Sequence, residues 1–156
     1  MKRKMLTREE FERKRNECAH AMATKTNLQE DAFKIMHEAD EFMWLHQSNF
    51  LGEPILNTAQ DILAAQEIIF NTRPKFIIEA GVAWAGMLLF YSTLMEVLGG
   101  EKIIAIDINI PEDLIARINK HERLAERIHW IKGSSSSEEV IHRVQDIVGD
   151  CKDVMV

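Results

Sequence analysis

The sequence is poor in the residues that mark several specialised classes of protein. Its 156 residues include only two cysteines, three prolines and seven glycines. Cys18 and Cys151 lie far apart, which excludes a disulfide framework and favours a reducing, cytoplasmic location. No apolar run approaches the roughly 18 residues of a membrane span, and the basic N-terminus lacks the apolar segment of a secretory signal. We therefore expect an ordinary globular protein of the cytoplasm.

Charge is unevenly distributed along the chain. The net charge is −6, although residues 1–15 carry seven Lys or Arg and only three Glu. An acidic body argues against nucleic acid as a partner. The basic segment is either the solvated face of a helix or a surface for an anionic membrane or an acidic partner, and the sequence leaves both interpretations open.

Apolar spacing divides the chain into an N-terminal helical arm, residues 1–45, and a region of alternating strands and helices, residues 46–156. A capping box predicted at Asn27 and Glu30 precedes a helical stripe in the arm. Residues 49–57 are predicted to form a loop. Thr58 is predicted to cap the next helix, which Pro74 ends.

Short continuous apolar runs after Pro74 predict buried strands at 76–78, 103–106 and 128–131, with a fourth beginning at 153–156. Their alternation with helices predicts an α/β fold, a Rossmann-like half with a parallel sheet and N-terminal helices. The fourth strand has only begun at Val156, so we expect the sequence to be the first part of a larger domain. We also expect an isolated chain to form homo-oligomers through that strand edge.

The loop after the first of these strands is the first candidate ligand site. Glu79 begins it, Gly81 permits a tight turn, and Gly86 opens the next helix where a larger side chain would crowd helix against sheet. The spacing is not G-x-G-x-x-G, and an acidic Glu79 suits a cationic ligand better than a phosphate. A glycine-containing turn without a ligand explains the same residues, and both interpretations stay open.

Two further candidates follow the next strands. Asp107 ends the second strand, where an acidic side chain can accept hydrogen bonds from both hydroxyls of a ribose, or else caps a helix. Asn109 is a weaker polar candidate. Gly133, Ser134 and Ser135 follow the third strand and can bracket an adenine, whereas Ser136 and Ser137 suit helix capping. A nicotinamide-dependent oxidoreductase is disfavoured by the glycine spacing.

Three separated segments resemble the cephalosporin hydroxylase family, which has the class I S-adenosylmethionine-dependent methyltransferase fold and includes rhamnosyl O-methyltransferases. They are residues 49–56 (NFLGEPIL), 77–86 (IIEAGVAWAG) and 104–109 (IAIDIN). The resemblance implies S-adenosylmethionine as cofactor, a sugar hydroxyl or small natural product as acceptor, and Mg²⁺ as a candidate cofactor of a full-length protein. It implies that the cofactor-binding residues are Glu79, Gly81, Ala83, Gly86, Asp107, Asn109, Gly133, Ser134 and Ser135.

The chain departs from the family pattern at three places that bear on cofactor affinity. Ala80 stands where members usually have Thr, residues 85–87 (AGM) replace Gly-Gly-Ser, and Asn109 replaces a frequent Asp. The pattern continues beyond Val156 with a segment that carries the implied metal ligands and catalytic groups, so we assign no catalytic residue or metal ligand here. Two functions follow as expectations: an S-adenosylmethionine-dependent O-methyltransferase, or its cofactor-binding portion, and alternatively a non-catalytic truncated homologue that serves as a binding or assembly module.

Overall fold

A computed structural model describes residues 5–156 as six α-helices, six strands and short 3₁₀ segments. The helices are α1 (Arg8–Ala23), α2 (Thr26–Asp40), α3 (Ala59–Thr72), α4 (Gly86–Leu98), α5 (Glu112–Ile118) and α6 (Glu138–Val148). The strands are β1 (Ser48–Phe50), β2 (Glu53–Ile55), β3 (Phe76–Ala80), β4 (Lys102–Asp107), β5 (Ile128–Lys132) and β6 (Val154–Met155). The chain divides into two compact units, of which the first ends at Trp44 and the second covers Leu45–Val156.

The first unit consists of α1 and α2, and neither helix buries a residue. A capping box begins α1, in which the Thr7 side chain accepts from the Glu10 N–H and the Glu10 side chain accepts from the Thr7 N–H. The capping box predicted at Asn27 is wrong, because α2 begins at Thr26 with Lys25 at its N-cap, two residues before Asn27, and has no side-chain cap. The predicted basic surface includes residues 1–4, which lie outside the described residues.

The second unit begins with a β-hairpin where a loop was predicted. Strands β1 and β2 pair antiparallel around Leu51 and Gly52, both of which have positive φ. Each strand has only three residues, so the sequence shows no alternation of apolar and polar residues. Pro54 in β2 also argues against a strand, because proline has no N–H to donate to a sheet. The loop prediction for residues 49–57 is therefore wrong. Gly52, a residue typical of hairpin turns, was the signal that the prediction missed.

Four strands of the second unit form one parallel sheet in the order β5-β4-β3-β6. Adjacent side chains of a strand face opposite sides, and Ile103 and Ile104 accordingly join different apolar clusters. The first cluster packs under α3, α4 and α5, and the second packs under α6. The predicted α/β class, with a parallel sheet covered by helices and preceded by N-terminal helices, is confirmed.

The helix ends largely follow from local chemistry. Thr58 caps α3 by accepting a hydrogen bond from the Asp61 N–H, as predicted, and α3 ends before Pro74 with Arg73 in the left-handed conformation. Ser137 caps α6, whereas Ser136 does not. None of the helices described between residues 5 and 156 is long and apolar enough to cross a bilayer.

Candidate functional site

The order of the strands creates a crevice at the carboxyl edge of the sheet. Strand β3 lies between β4 and β6. After β3 the chain continues to β4 and β5 on one side of it, and then crosses to β6 on the other side. The place where the strand order reverses in this way is the topological switch point of such sheets. The Gly81 N–H donates to the Ile106 carbonyl (2.8 Å), and the Gly133 N–H donates to the Asp107 carbonyl (2.9 Å). These two bonds bring the loops after β3, β4 and β5 together at one place.

Asp107 ends β4 and organises the loops around it. Its Oδ2 accepts from the Val82 N–H (2.8 Å), and its Oδ1 accepts from the Asn109 N–H (2.9 Å). Backbone N–H groups, with that of Asn109 foremost, hold the pKa of Asp107 below its ordinary value. The carboxylate is therefore ionised at neutral pH and keeps lone pairs for further donors.

A cavity of about 330 Å³ opens beside this carboxylate, and we call it the Asp107 cavity. Its lining residues are Ala80, Gly81, Ile106, Asp107, Ile108, Gly133, Ser134 and Ser135. Five of the nine predicted site residues thus share one cavity. Asn109 is not among its lining residues and contributes through its backbone N–H to Asp107.

A second cavity, of about 250 Å³, lies under the loop after β3, and we call it the Glu79 cavity. Its lining residues are Pro54, Leu56, Asn57, Glu79, Gly81, Val82, Ala83, Trp84, Ala85, Gly86 and Met87. The predicted residues Glu79, Ala83 and Gly86 meet here, and Gly81 belongs to both cavities. The hairpin residue Pro54 and the following Leu56 and Asn57 complete the wall.

Glu79 is the one ionisable side chain among these lining residues, all of which lie in the described part of the chain. Its Oε2 is buried without a hydrogen-bond partner. Burial raises the pKa of Glu79 to about 8, and burial together with the nearby Glu79 charge raises the pKa of Tyr91 on α4 to about 12. A cation placed in the cavity would stabilise the ionised carboxylate, and the cationic ligand expected from the sequence stays a prediction.

Backbone strain is concentrated in the loop between β3 and α4. Gly81 has φ 90°, and two residues with a Cβ, Ala83 (φ 45°) and Ala85 (φ 66°), also adopt positive φ. Left-handed conformations cost a non-glycine residue about 1–2 kcal/mol, and such strain tends to occur at functional sites. Ala85 is the N-cap of α4 and provides no side-chain cap, so the first N–H groups of this helix have no side-chain acceptor there.

Gly86 is required by its contact with the hairpin. A Cβ added there would lie 2.3 Å from the Pro54 carbonyl oxygen and 2.9 Å from that of Glu53. The prediction that a larger residue would crowd helix against sheet is therefore wrong about the neighbour, because the backbone of β2 makes the close approach. Glu53, 8% exposed, also pairs with Arg117 of α5 at 3.2 Å, which fixes the hairpin beside the cavity.

The serine-rich loop has two roles. Ser134 and Ser135 line the Asp107 cavity, and the Ser134 hydroxyl lies 3.0 Å from the Ser136 hydroxyl. Ser137 caps α6 by accepting from the Val140 N–H at 3.3 Å. The capping interpretation thus applies to Ser137, and the role of Ser134 and Ser135 beside an adenine stays a prediction.

No group of three or more His, Cys, Asp or Glu side chains within residues 5–156 is arranged to hold a metal ion. The described residues therefore offer no donor set that fits the Mg²⁺ implied by the resemblance.

The model of one protein family, described as rhamnosyl O-methyltransferase/CmcI, matches residues 42–156. The chain belongs to this family. The rhamnosyl O-methyltransferase/CmcI match covers both cavities and every predicted site residue. No curated protein matches the chain significantly.

Solved structures of CmcI share the fold of this family member. An apo structure of CmcI superposes with a TM-score of 0.52 at 20% identity, covering 65% of this chain and 42% of that one. A Mg-SAM structure of CmcI gives a TM-score of 0.50 at 20% identity, covering 62% and 40%. The chain thus spans about two fifths of the length of these structures.

The departures from the family pattern have a structural setting. Ala85 stands where members have glycine, and its φ of 66° is the conformation that glycine adopts without strain. Ala80 lines the Asp107 cavity and Met87 the Glu79 cavity. Ala80 and Met87 therefore alter the cavity walls, Ala85 adds strain to the loop, and Asn109 lines neither cavity.

Proposed function

We propose that residues 46–156 are the N-terminal part of an S-adenosylmethionine-binding domain, and that the protein is an S-adenosylmethionine-dependent O-methyltransferase. The acceptor would be a sugar hydroxyl or a small natural product, in keeping with the family. The observation that carries this proposal is the pair of cavities that meet at Gly81. One holds an ionised carboxylate, Asp107, and the other a buried carboxyl group without a partner, Glu79.

The Asp107 cavity suits the adenosine part of the cofactor. The Asp107 carboxylate accepts from the Val82 N–H on one oxygen and from the Asn109 N–H on the other, and the N–H groups of Ala83 and Ile108 also lower its pKa. In the complex each oxygen would also accept from one ribose hydroxyl. Gly133, Ser134 and Ser135 would flank the adenine, and Asn109 would act by holding Asp107 through its N–H.

The Glu79 cavity suits the methionine part, which carries an ammonium group, a carboxylate and the sulfonium. Glu79 would pair with the ammonium group, which supplies the partner that its buried oxygen lacks. The first N–H groups of α4 would receive the carboxylate, because Ala85 provides no side-chain cap. Gly81, Ala83 and Gly86 would let the backbone approach the ligand.

Bound S-adenosylmethionine would supply a methyl group on a positively charged sulfur. The residues of this chain would hold that group in a fixed orientation toward an acceptor, which accelerates transfer through proximity. Glu79 and Asp107 are the ionisable groups lining the two cavities within residues 5–156, and both are assigned to the cofactor. We therefore assign no base for the acceptor hydroxyl and derive no step through a metal ion.

The same observation favours a second candidate, a binding or assembly module without catalysis. Calorimetric titration with S-adenosylmethionine, S-adenosylhomocysteine and NAD separates the candidates when combined with a methyl-transfer assay on sugar acceptors. The proposal expects both S-adenosyl compounds to bind, and binding without transfer would indicate the second candidate. Binding of NAD alone, or of none of the three, would refute the cofactor assignment. Asp107→Ala should weaken the binding of both S-adenosyl compounds, and Asp146→Ala on α6, which lines neither cavity, is its matched control.

A further inference from the structure

Trp84 is a large aromatic residue on the wall of the Glu79 cavity, and 51% of its surface is exposed. Single exposed apolar residues are common on proteins and need no explanation by themselves. Trp84 differs in its surroundings, because it shares its cavity with the buried, unpartnered carboxyl group of Glu79. It belongs to none of the apolar clusters described in the second unit, so packing does not account for it.

The loop holds Trp84 in place from both sides. The Val82 N–H donates to Asp107 at 2.8 Å, and the Ala85 N–H donates to the Val82 carbonyl at 2.7 Å. Ala83 and Ala85, the two neighbours of Trp84, both have positive φ. On the far side Gly86 is in close contact with the backbone of the hairpin. The indole is thus presented by a short loop with few alternative conformations.

The chemistry of the cavity wall favours one class of ligand. Within the described chain, the lining contains no Lys, Arg or His, and Glu79 is its one ionisable side chain. The face of an indole carries negative electrostatic potential and attracts cations, with Trp the strongest of the aromatic residues in this respect. A carboxyl group and an indole in one cavity therefore favour an organic cation.

We propose that Trp84 recognises the positively charged sulfur of the cofactor through a cation–π interaction, so that the site distinguishes S-adenosylmethionine from S-adenosylhomocysteine. This inference rests on the proposed function. Both compounds carry the ammonium group assigned to Glu79, but only S-adenosylmethionine carries a sulfonium, since the homocysteine compound has a neutral thioether. Trp84 then binds S-adenosylmethionine more tightly than S-adenosylhomocysteine, so that the product dissociates more readily than the substrate.

Calorimetry of the full chain with each compound tests the assignment. We expect Trp84→Ala to weaken the binding of S-adenosylmethionine by about 3- to 30-fold and to change that of S-adenosylhomocysteine by less than about twofold. Trp84→Phe should lie between the wild type and the alanine variant. Trp44→Ala, which removes an exposed tryptophan outside the cavity, is the matched control and should change neither affinity.

Two results would overturn the inference while leaving the proposed function intact. If Trp84→Ala weakened the binding of both compounds equally, Trp84 would contribute packing and would not recognise the charge of the sulfur. Unchanged affinity for both would show that Trp84 does not contact the cofactor. The wild-type titration with S-adenosylhomocysteine reports on the proposed function separately, because that compound needs no cation–π contact to bind.

Discussion

The buried carboxyl group of Glu79 makes stability depend on pH in a direction that is unusual for an acidic residue. Its pKa rises from the model-peptide value of 4.5 to about 8 in the folded protein, because burial penalises the charged form. Between these two values the folded state binds a proton that the unfolded state has released. The free energy of unfolding therefore falls as pH rises through this window, by up to about 1.4 kcal/mol per pH unit.

Glu79→Gln removes this dependence while keeping the size of the side chain. We expect the two proteins to have similar stability near pH 5, where both side chains are neutral. The difference in melting temperature between the variant and the wild type should grow by roughly 5–10 °C from pH 5.5 to pH 7.5. A change of 1 kcal/mol in the free energy of unfolding shifts the melting temperature of a chain of this size by roughly 2–4 °C. Thermal denaturation of both proteins across this range, followed by circular dichroism, measures the difference.

The comparison isolates Glu79, because other ionisable groups titrate alike in both proteins. A difference in melting temperature that stays constant from pH 5 to 8 would refute the assignment of a neutral, buried Glu79. If Glu79 also binds the cofactor ammonium, the same variant should be more stable at pH 7.5 and yet bind S-adenosylmethionine more weakly.

Three other substitutions test the remaining parts of the site. Gly86→Ala should lower stability by about 1–3 kcal/mol, because its Cβ meets the Pro54 carbonyl oxygen at 2.3 Å; an unchanged melting temperature would contradict that contact. Asp107→Ala should weaken cofactor binding by about two to four orders of magnitude, since each of the two ribose hydrogen bonds to the carboxylate contributes roughly 1.5–3 kcal/mol, and unchanged affinity in calorimetry would exclude the ribose role. Gly81→Val should abolish binding and cost about 1–2 kcal/mol of stability, because valine is strained at φ 90°; normal binding would show that the loop is only a turn.

The parallel sheet was predictable because its strands are almost entirely apolar. Buried strands such as Lys102–Asp107 carry isoleucine on both faces, which produces a continuous run in the sequence. The hairpin was not predictable in this way. Its strands derive their stability from contacts distant in sequence, such as the edge-to-face packing of Phe50 on Phe90 and the pairing of Glu53 with Arg117. Short elements held by such contacts leave little local periodicity.

The sequence identified those candidate site residues that lie close to the end of a strand. Asp107 ends β4 and Gly133 follows β5, and the rules of parallel sheets bring such residues to one edge. The prediction that Glu79 begins the loop is wrong, because β3 continues to Ala80 and Glu79 lies inside it. Asn57 and Trp84 were not chosen, because one belongs to the hairpin region and the other interrupts a glycine pattern. The burial that raises the pKa of Glu79 was equally invisible in the sequence, because it depends on residues distant in sequence, such as Pro54 and Asn57, that share its cavity.

Three unfavourable features of this chain lie close together, which links stability to ligand binding. The Oε2 of Glu79 is buried without a partner, and Ala83 and Ala85 adopt conformations that suit glycine. Each costs folding free energy, and the apolar clusters on both faces of the sheet offset that cost. A cationic ligand that pairs with Glu79 would remove the first of these penalties, so its binding free energy includes the relief of an instability already present. Under the proposed function, the strain of the loop and the burial of Glu79 therefore favour the bound state over the free one.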